Sequence, residues 1–171
     1  KIILIMKNIL TLLLMFSVTL GFSQPDGTTG ITTTQDKYST AINNINSEYF
    51  ENKYESMNAF MADDITITIN GENITKEQWI QGCKIHHQLY SDIKWDPYSF
   101  VDTTVYNEAN NNTVWSHVWG SWSGKSKRTG EVDTNPVNFS YQWVNGKITL
   151  MNGIYDPTEL NIEIKKAKIK M

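Results

Sequence analysis

An Asn-Gly pair at Asn145-Gly146 stands between two alternating runs, VNFSYQWV and KITLMNGIY. Both residues accept the positive φ of a type I′ turn, so the pair marks a two-residue β-hairpin. A loop of that length sets the register. Val144 then faces Lys147, Trp143 faces Ile148, Tyr141 faces Leu150 and Phe139 faces Asn152. Because strand side chains alternate, Val137, Phe139, Tyr141, Trp143, Ile148, Leu150, Asn152 and Ile154 should share the buried face. A lone Asn152 among apolar and aromatic neighbours suggests a lined cavity rather than a filled core.

The chain has 171 residues, which suits one domain. Its start has the features of a secretory signal over residues 1–23. Lys7 precedes the apolar stretch Ile9–Phe16, and Gly21 and Ser23 stand at −3 and −1 of a cut before Gln24. The stretch is well short of the roughly 20 apolar residues that span a bilayer. The expected location is therefore secreted or periplasmic, with no membrane attachment after cleavage. Taking Lys1 and Lys7 from the 15 basic residues leaves 13 against 18 acidic ones, a net charge of −5. A mildly acidic chain with no basic stripe excludes nucleic acid as the natural partner. Cys83 is the single cysteine, so no internal disulfide can form.

Residues 24–38 are rich in Gly, Pro and Thr and read as a flexible linker. From Asp36 to Ala62 apolar residues recur at helical spacing (Ile42, Ile45, Tyr49, Phe50, then Tyr54, Met57, Phe60, Met61), with a break near Glu51–Lys53. Ile65, Ile67 and Ile69 alternate with polar residues as a short strand. Thr75 with Gln78 forms a capping box, which predicts a third helix to about Tyr90. Its apolar arc centres on Cys83 and holds Trp79, His86, His87 and Tyr90. Strands follow at about 98–106 and 113–123, then the hairpin. Residues 157–171 form a basic tail whose pattern fits either strand or helix, and a solvated end is the simplest reading.

Helices followed by long strands predict an α+β fold: a cone-shaped, curved antiparallel sheet with about three N-terminal helices on its concave face. This order, with the ADD step at Ala62–Asp64, the helix Thr75–Tyr90 and the closing IYD at Ile154–Asp156, resembles the nuclear transport factor 2-like superfamily, particularly its SnoaL-like branch. The resemblance covers residues 39–156. It implies a single hydrophobic pocket between sheet and helices, and a homodimer through the outer sheet face. It also implies comparison with ketosteroid isomerase. The position matching that enzyme's aspartate base falls near Ile69, and the one matching its oxyanion tyrosine near Ile45. Neither residue type is present, so that mechanism does not carry over.

Relatives that use histidine as general acid and base resemble a different arrangement. His117 sits mid-strand between Trp115 and Trp119, and a near-neutral imidazole suits proton transfer. It is the first candidate catalytic residue if that face is concave, with His87 as a second proton carrier. The opposite face, Val114, Ser116, Val118 and Gly120, is also apolar, so the pattern permits either orientation. Trp79, Tyr90, Trp119, Tyr141 and Asn152 are the candidate ligand-binding residues, and a filled aromatic core is the plainer alternative for each of them singly. Cys83 and His87 are only two possible ligands, too few for zinc. No metal or other cofactor is expected. The leading expectation is an exported domain that binds a small hydrophobic molecule in one pocket. The alternative is a small-molecule isomerase, dehydratase or cyclase.

Overall fold

The computed structural model describes residues 29–169; the signal-peptide reading and the first residues of the linker lie outside them. The elements in chain order are β1 (Gly30–Thr33), α1 (Lys37–Phe50), α2 (Glu55–Phe60), β2 (Met61–Ile69), β3 (Glu72–Ile74), α3 (Lys76–Leu89), β4 (Tyr90–Trp95), β5 (Phe100–Tyr106), β6 (Val114–Ser126), β7 (Val132–Val144), β8 (Lys147–Tyr155) and α4 (Thr158–Ala167). The sheet order is β1-β5-β6-β7-β8-β2-β3, with β4 also paired to β6. All pairs are antiparallel except β2 with β8, so the sheet is mixed. β6 runs 13 residues and changes neighbour along its length. It pairs β5 from Val114 to Trp119 and β4 from Trp122 to Ser126. The result is the expected α+β cone, with helices covering a concave sheet face.

The capping box read from the sequence at the start of α3 is present. Thr75 Oγ1 accepts the Gln78 amide at 3.2 Å, and Gln78 Oε1 accepts the Thr75 amide at 2.8 Å. This satisfies two of the donors that a helix start leaves unpaired. Asp36 caps α1 through the amides of Tyr38 and Ser39 at 2.7 and 3.0 Å. The break at Glu51–Lys53 separates α1 from α2 where the periodicity lapsed, with Asn52 in the left-handed region at φ 58°.

A chain of buried hydroxyls ties α1 to the sheet. Trp143 Nε1 donates to Ser116 Oγ (2.8 Å), Ser116 bonds Thr103 (2.7 Å), Thr103 bonds Ser39 (2.8 Å), and Ser39 donates to Asp36 Oδ2 (2.8 Å). Ser39, Thr103 and Ser116 are fully buried. The indole can only donate and the carboxylate can only accept, so each hydroxyl donates toward Asp36.

The hairpin departs from the expected register after its first two pairs. Val144 faces Lys147 and Trp143 faces Ile148, but Gln142 faces Leu150, Tyr141 faces Met151 and Phe139 faces Gly153. Thr149 is an extra residue in β8. One extra residue reverses the facing of everything beyond it. Leu150, Asn152 and Ile154 therefore turn outward, and Met151 and Gly153 become core. Gly153 is required there: a Cβ would lie 2.5 Å from the Phe139 ring and 2.7 Å from Ile69.

The facing of strand β6, which its pattern leaves open, is decided against the Trp-bearing side. Val114, Ser116, Val118, Gly124 and Ser126 point toward the helices, whereas Trp115, His117 and Trp119 lie on the outer face. The concave side beneath α1 takes small side chains where Thr103 bonds Ser116 and is itself bonded by Ser39 of α1. Both ends of the described residues hold regular elements that their composition did not suggest. Gly30–Thr33, placed in the linker, is an edge strand on β5. The basic tail forms helix α4, whose Glu163 is buried by a two-point bond to Arg128 (3.1 Å from Nε, 2.6 Å from Nη2).

Candidate functional site

The concave face and the helices enclose one apolar cavity of about 80 Å³. α1 contributes Ile45, Asn46 and Tyr49, and α3 contributes Trp79, Cys83 and His86. The sheet contributes Trp95, Trp122, Phe139 and Tyr141, and Tyr155 and Leu160 close it from the C-terminal side. The α1 residues arise from one helical stripe, since Ile42, Ile45 and Tyr49 recur at three and four. The same holds on α3, where Trp79, Cys83 and His86 lie on the inward arc.

The polar groups cluster on one side. Tyr49 Oη lies 2.7 Å from His86 Nδ1 and accepts the Trp122 indole N–H at 2.9 Å. Burial holds the Tyr49 phenol well above its ordinary value. Burial, reinforced by neighbouring His87, pulls the His86 imidazole down to about 4. The pair is therefore neutral near pH 7. Burial likewise lifts the Cys83 thiol to about 12, which leaves it protonated and a poor nucleophile. Trp95 Nε1–H is buried and has no partner. Asn46 and Tyr141 are buried and lie on the cavity wall. No charged side chain lines the cavity.

The structure divides the sequence candidates. Trp79 and Tyr141 line the cavity, and Trp79 meets Phe139 edge-on at 5.7 Å. Tyr90 does not. Helix α3 ends at Leu89, and Tyr90 turns into β4, packing against Trp122 at 5.1 Å. Asn152 and Trp119 are exposed on the outer face, for the register and facing reasons above. His117 is also on the outer face, with Nδ1 3.0 Å from Asp102 Oδ1. His87 is bonded through Nε2 to the Tyr49 carbonyl at 2.6 Å and borders a surface hollow with Asn52, Tyr54 and Lys84. Neither histidine chosen from the sequence reaches the cavity; His86 does. Its position on the arc centred at Cys83 was the available signal. Tyr49 shares the buried stripe of α1. Trp122 and Trp95 were not legible, because strand β4 and the bend of β6 are tertiary features.

Among described residues, no group of three or more metal-binding side chains comes together. No helix among them is long and apolar enough to cross a membrane.

No protein-family model matches the chain, and no curated protein sequence does. Solved structures do. A proposed polyketide cyclase from Xanthomonas campestris pv. campestris is 14% identical, with a TM-score of 0.56 over 77% of this chain and 99% of that one. IdmH, a proposed polyketide cyclase from Streptomyces antibioticus, is 13% identical, with a TM-score of 0.56 over 76% and 99%. AclR, a proposed hydroxylase from Streptomyces galilaeus, is 9% identical at the same TM-score, over 74% and 94%. The chain has the nuclear transport factor 2-like fold. At these identities the likeness concerns the fold alone.

Proposed function

We propose that this protein binds a small, largely apolar molecule inside the cone. The observation that carries this reading is the cavity itself, an apolar space lined in part by Trp95, whose buried N–H has no partner. A filled core would leave neither the space nor the free Trp95 N–H, because buried polar groups are normally bonded. A cavity about half the size of the 150 Å³ one that takes benzene admits a small ring only if its walls yield. The test is thermal denaturation with phenol and toluene against wild type and Cys83→Met, which extends a side chain into the space. Phenol should raise the melting temperature of wild type and not of the variant. No shift in wild type at any concentration would refute the reading.

A second reading, an isomerase, dehydratase or cyclase, rests on the 2.7 Å contact between Tyr49 and His86. The balance of effects disfavours it. A general acid or base works best with a pKa near the working pH. Here the histidine sits at about 4 and the tyrosine is pushed above its usual value, away from neutrality in both directions. Catalysis would show as turnover lost in His86→Gln while ligand binding persists.

We further propose export, supported by the Lys7–Gln24 pattern, and a homodimer through the outer sheet face. Phe100, Trp119 and Ile154 are exposed there, beside the Asp102–His117 pair. N-terminal sequencing of the exported protein should begin at Gln24. Sedimentation should show a dimer that Trp119→Lys dissociates.

A further inference from the structure

A second space lies against the interior cavity. The groove between α3 and α4 has a volume of about 220 Å³. Trp79, Cys83, His86, Tyr155 and Leu160 line both the groove and the cavity, so these side chains are the partition between them. Two of the five, Tyr155 and Leu160, belong to the C-terminal segment that α4 ends. That helix is held by the Arg128–Glu163 ion pair and by its contacts with α3. Neither space alone matches an ordinary small-molecule site. Joined, they reach its lower bound of about 300 Å³.

The lining states the chemistry of the occupant. The inner space has no charged side chain, and burying an unpaired charge there would be costly. The groove adds Ile69, Ile74, Ile85 and Ile164 as apolar wall, and its one charge is the exposed carboxylate Glu72. An anion is opposed at both ends. At the inner end Trp95 Nε1–H can only donate, so it asks for an acceptor.

We propose that the cavity and the α3–α4 groove are two halves of one binding site for an uncharged, elongated, mostly apolar molecule with a hydrogen-bond acceptor at its inner end. This rests on the reading that the interior cavity binds a ligand, and it names the size and class of that ligand. α4 is the element that moves to admit it, carrying Leu160 out of the partition.

Three fluorescent probes test it: prodan, an uncharged naphthyl ketone; phenylnaphthylamine, uncharged and without the ketone; and anilinonaphthalene sulfonate, the charged counterpart of the second. The informative variant is Gly82→Leu. Gly82 lines only the groove, and a Cβ there meets nothing within 4 Å, so the new side chain fills the groove without clash. Leu is also the better helix former, so the variant should fold. Prodan and phenylnaphthylamine should bind wild type and lose at least tenfold in Gly82→Leu, while the thermal shift from phenol persists. The sulfonate should bind far more weakly than phenylnaphthylamine. Trp95→Phe should weaken prodan about five- to tenfold, the worth of one hydrogen bond, and leave phenylnaphthylamine unchanged. Arg128→Gln should speed association of both uncharged probes. Equal binding of the uncharged probes to wild type and Gly82→Leu would overturn the joined site, as would sulfonate binding as tight as that of its parent. If phenol stabilises the protein but neither uncharged probe binds, the inner cavity stands and the joined site is wrong. If no probe and no phenol binds, both readings fall.

Discussion

Replacing Ser116 with alanine removes one oxygen and should unfold a measurable fraction of the protein's stability. Ser116 Oγ stands between the Trp143 indole at 2.8 Å and Thr103 Oγ1 at 2.7 Å, and it is fully buried. The hydrogen bonds run toward Asp36, so Thr103 keeps a partner when Ser116 is lost, because it still donates to Ser39. Trp143 does not, and its N–H becomes a buried donor with nothing to bond. An orphaned buried group costs about 1–3 kcal/mol. The small cavity left by the hydroxyl adds little, so the expected loss is about 2–3 kcal/mol. Urea denaturation followed by far-ultraviolet circular dichroism would show it as a lower midpoint with an unchanged slope. Trp143→Phe removes the donor and supplies the control. In the double variant Ser116→Ala/Trp143→Phe no donor is orphaned, so its cost should fall short of the sum of the single costs by about 1–2 kcal/mol. A Ser116→Ala cost under about 0.5 kcal/mol, as at a surface site, would refute the reasoning. So would strict additivity in the double variant.

Three further outcomes follow from the same structure. His86 has a folded pKa of about 4 against an ordinary 6.5, so between those values the unfolded chain binds a proton that the folded one does not. Stability should therefore fall as pH drops from 6.5 to 4, by up to about 3 kcal/mol, and His86→Gln should flatten that slope in pH-dependent urea titrations. Burial opposes ionisation of Asp36, but hydrogen bonds from Thr33, Ser39 and Tyr38 outweigh it and set its pKa at about 2. Its depressed value stabilises the fold above pH 4 and is lost as pH falls toward 2, so Asp36→Asn should weaken the remaining acid transition. The bulge at Thr149 predicts that Asn152→Leu changes stability by less than about 0.5 kcal/mol. Gly153→Ala should cost about 1–3 kcal/mol through its clash with Phe139. Reversed costs in thermal melts would restore the unbulged register.

Elements whose signals are local can be read from the residues alone. Helical periodicity and a capping box mark α1 and α3, because a helix bonds only to its own next turn. Asn145-Gly146 marks the hairpin, with φ values of 50° and 79°, because positive φ restricts the residues that can occupy it. The inward positions of Trp79 and Tyr141 follow from those periods. Features that depend on distant partners emerge only when the chain has folded. A two-residue turn sets the first pairs, but the bulge at Thr149 turns Asn152 outward and brings Gly153 beneath Phe139. Strand β6 carries apolar residues on both faces, and its facing depends on the hydroxyl chain that runs from Ser39 of α1 through Thr103 to Ser116. The Tyr49–His86–Trp122 cluster joins positions 37 and 73 residues apart. No local pattern encodes it, since its geometry exists only once helix and sheet have closed around the same space.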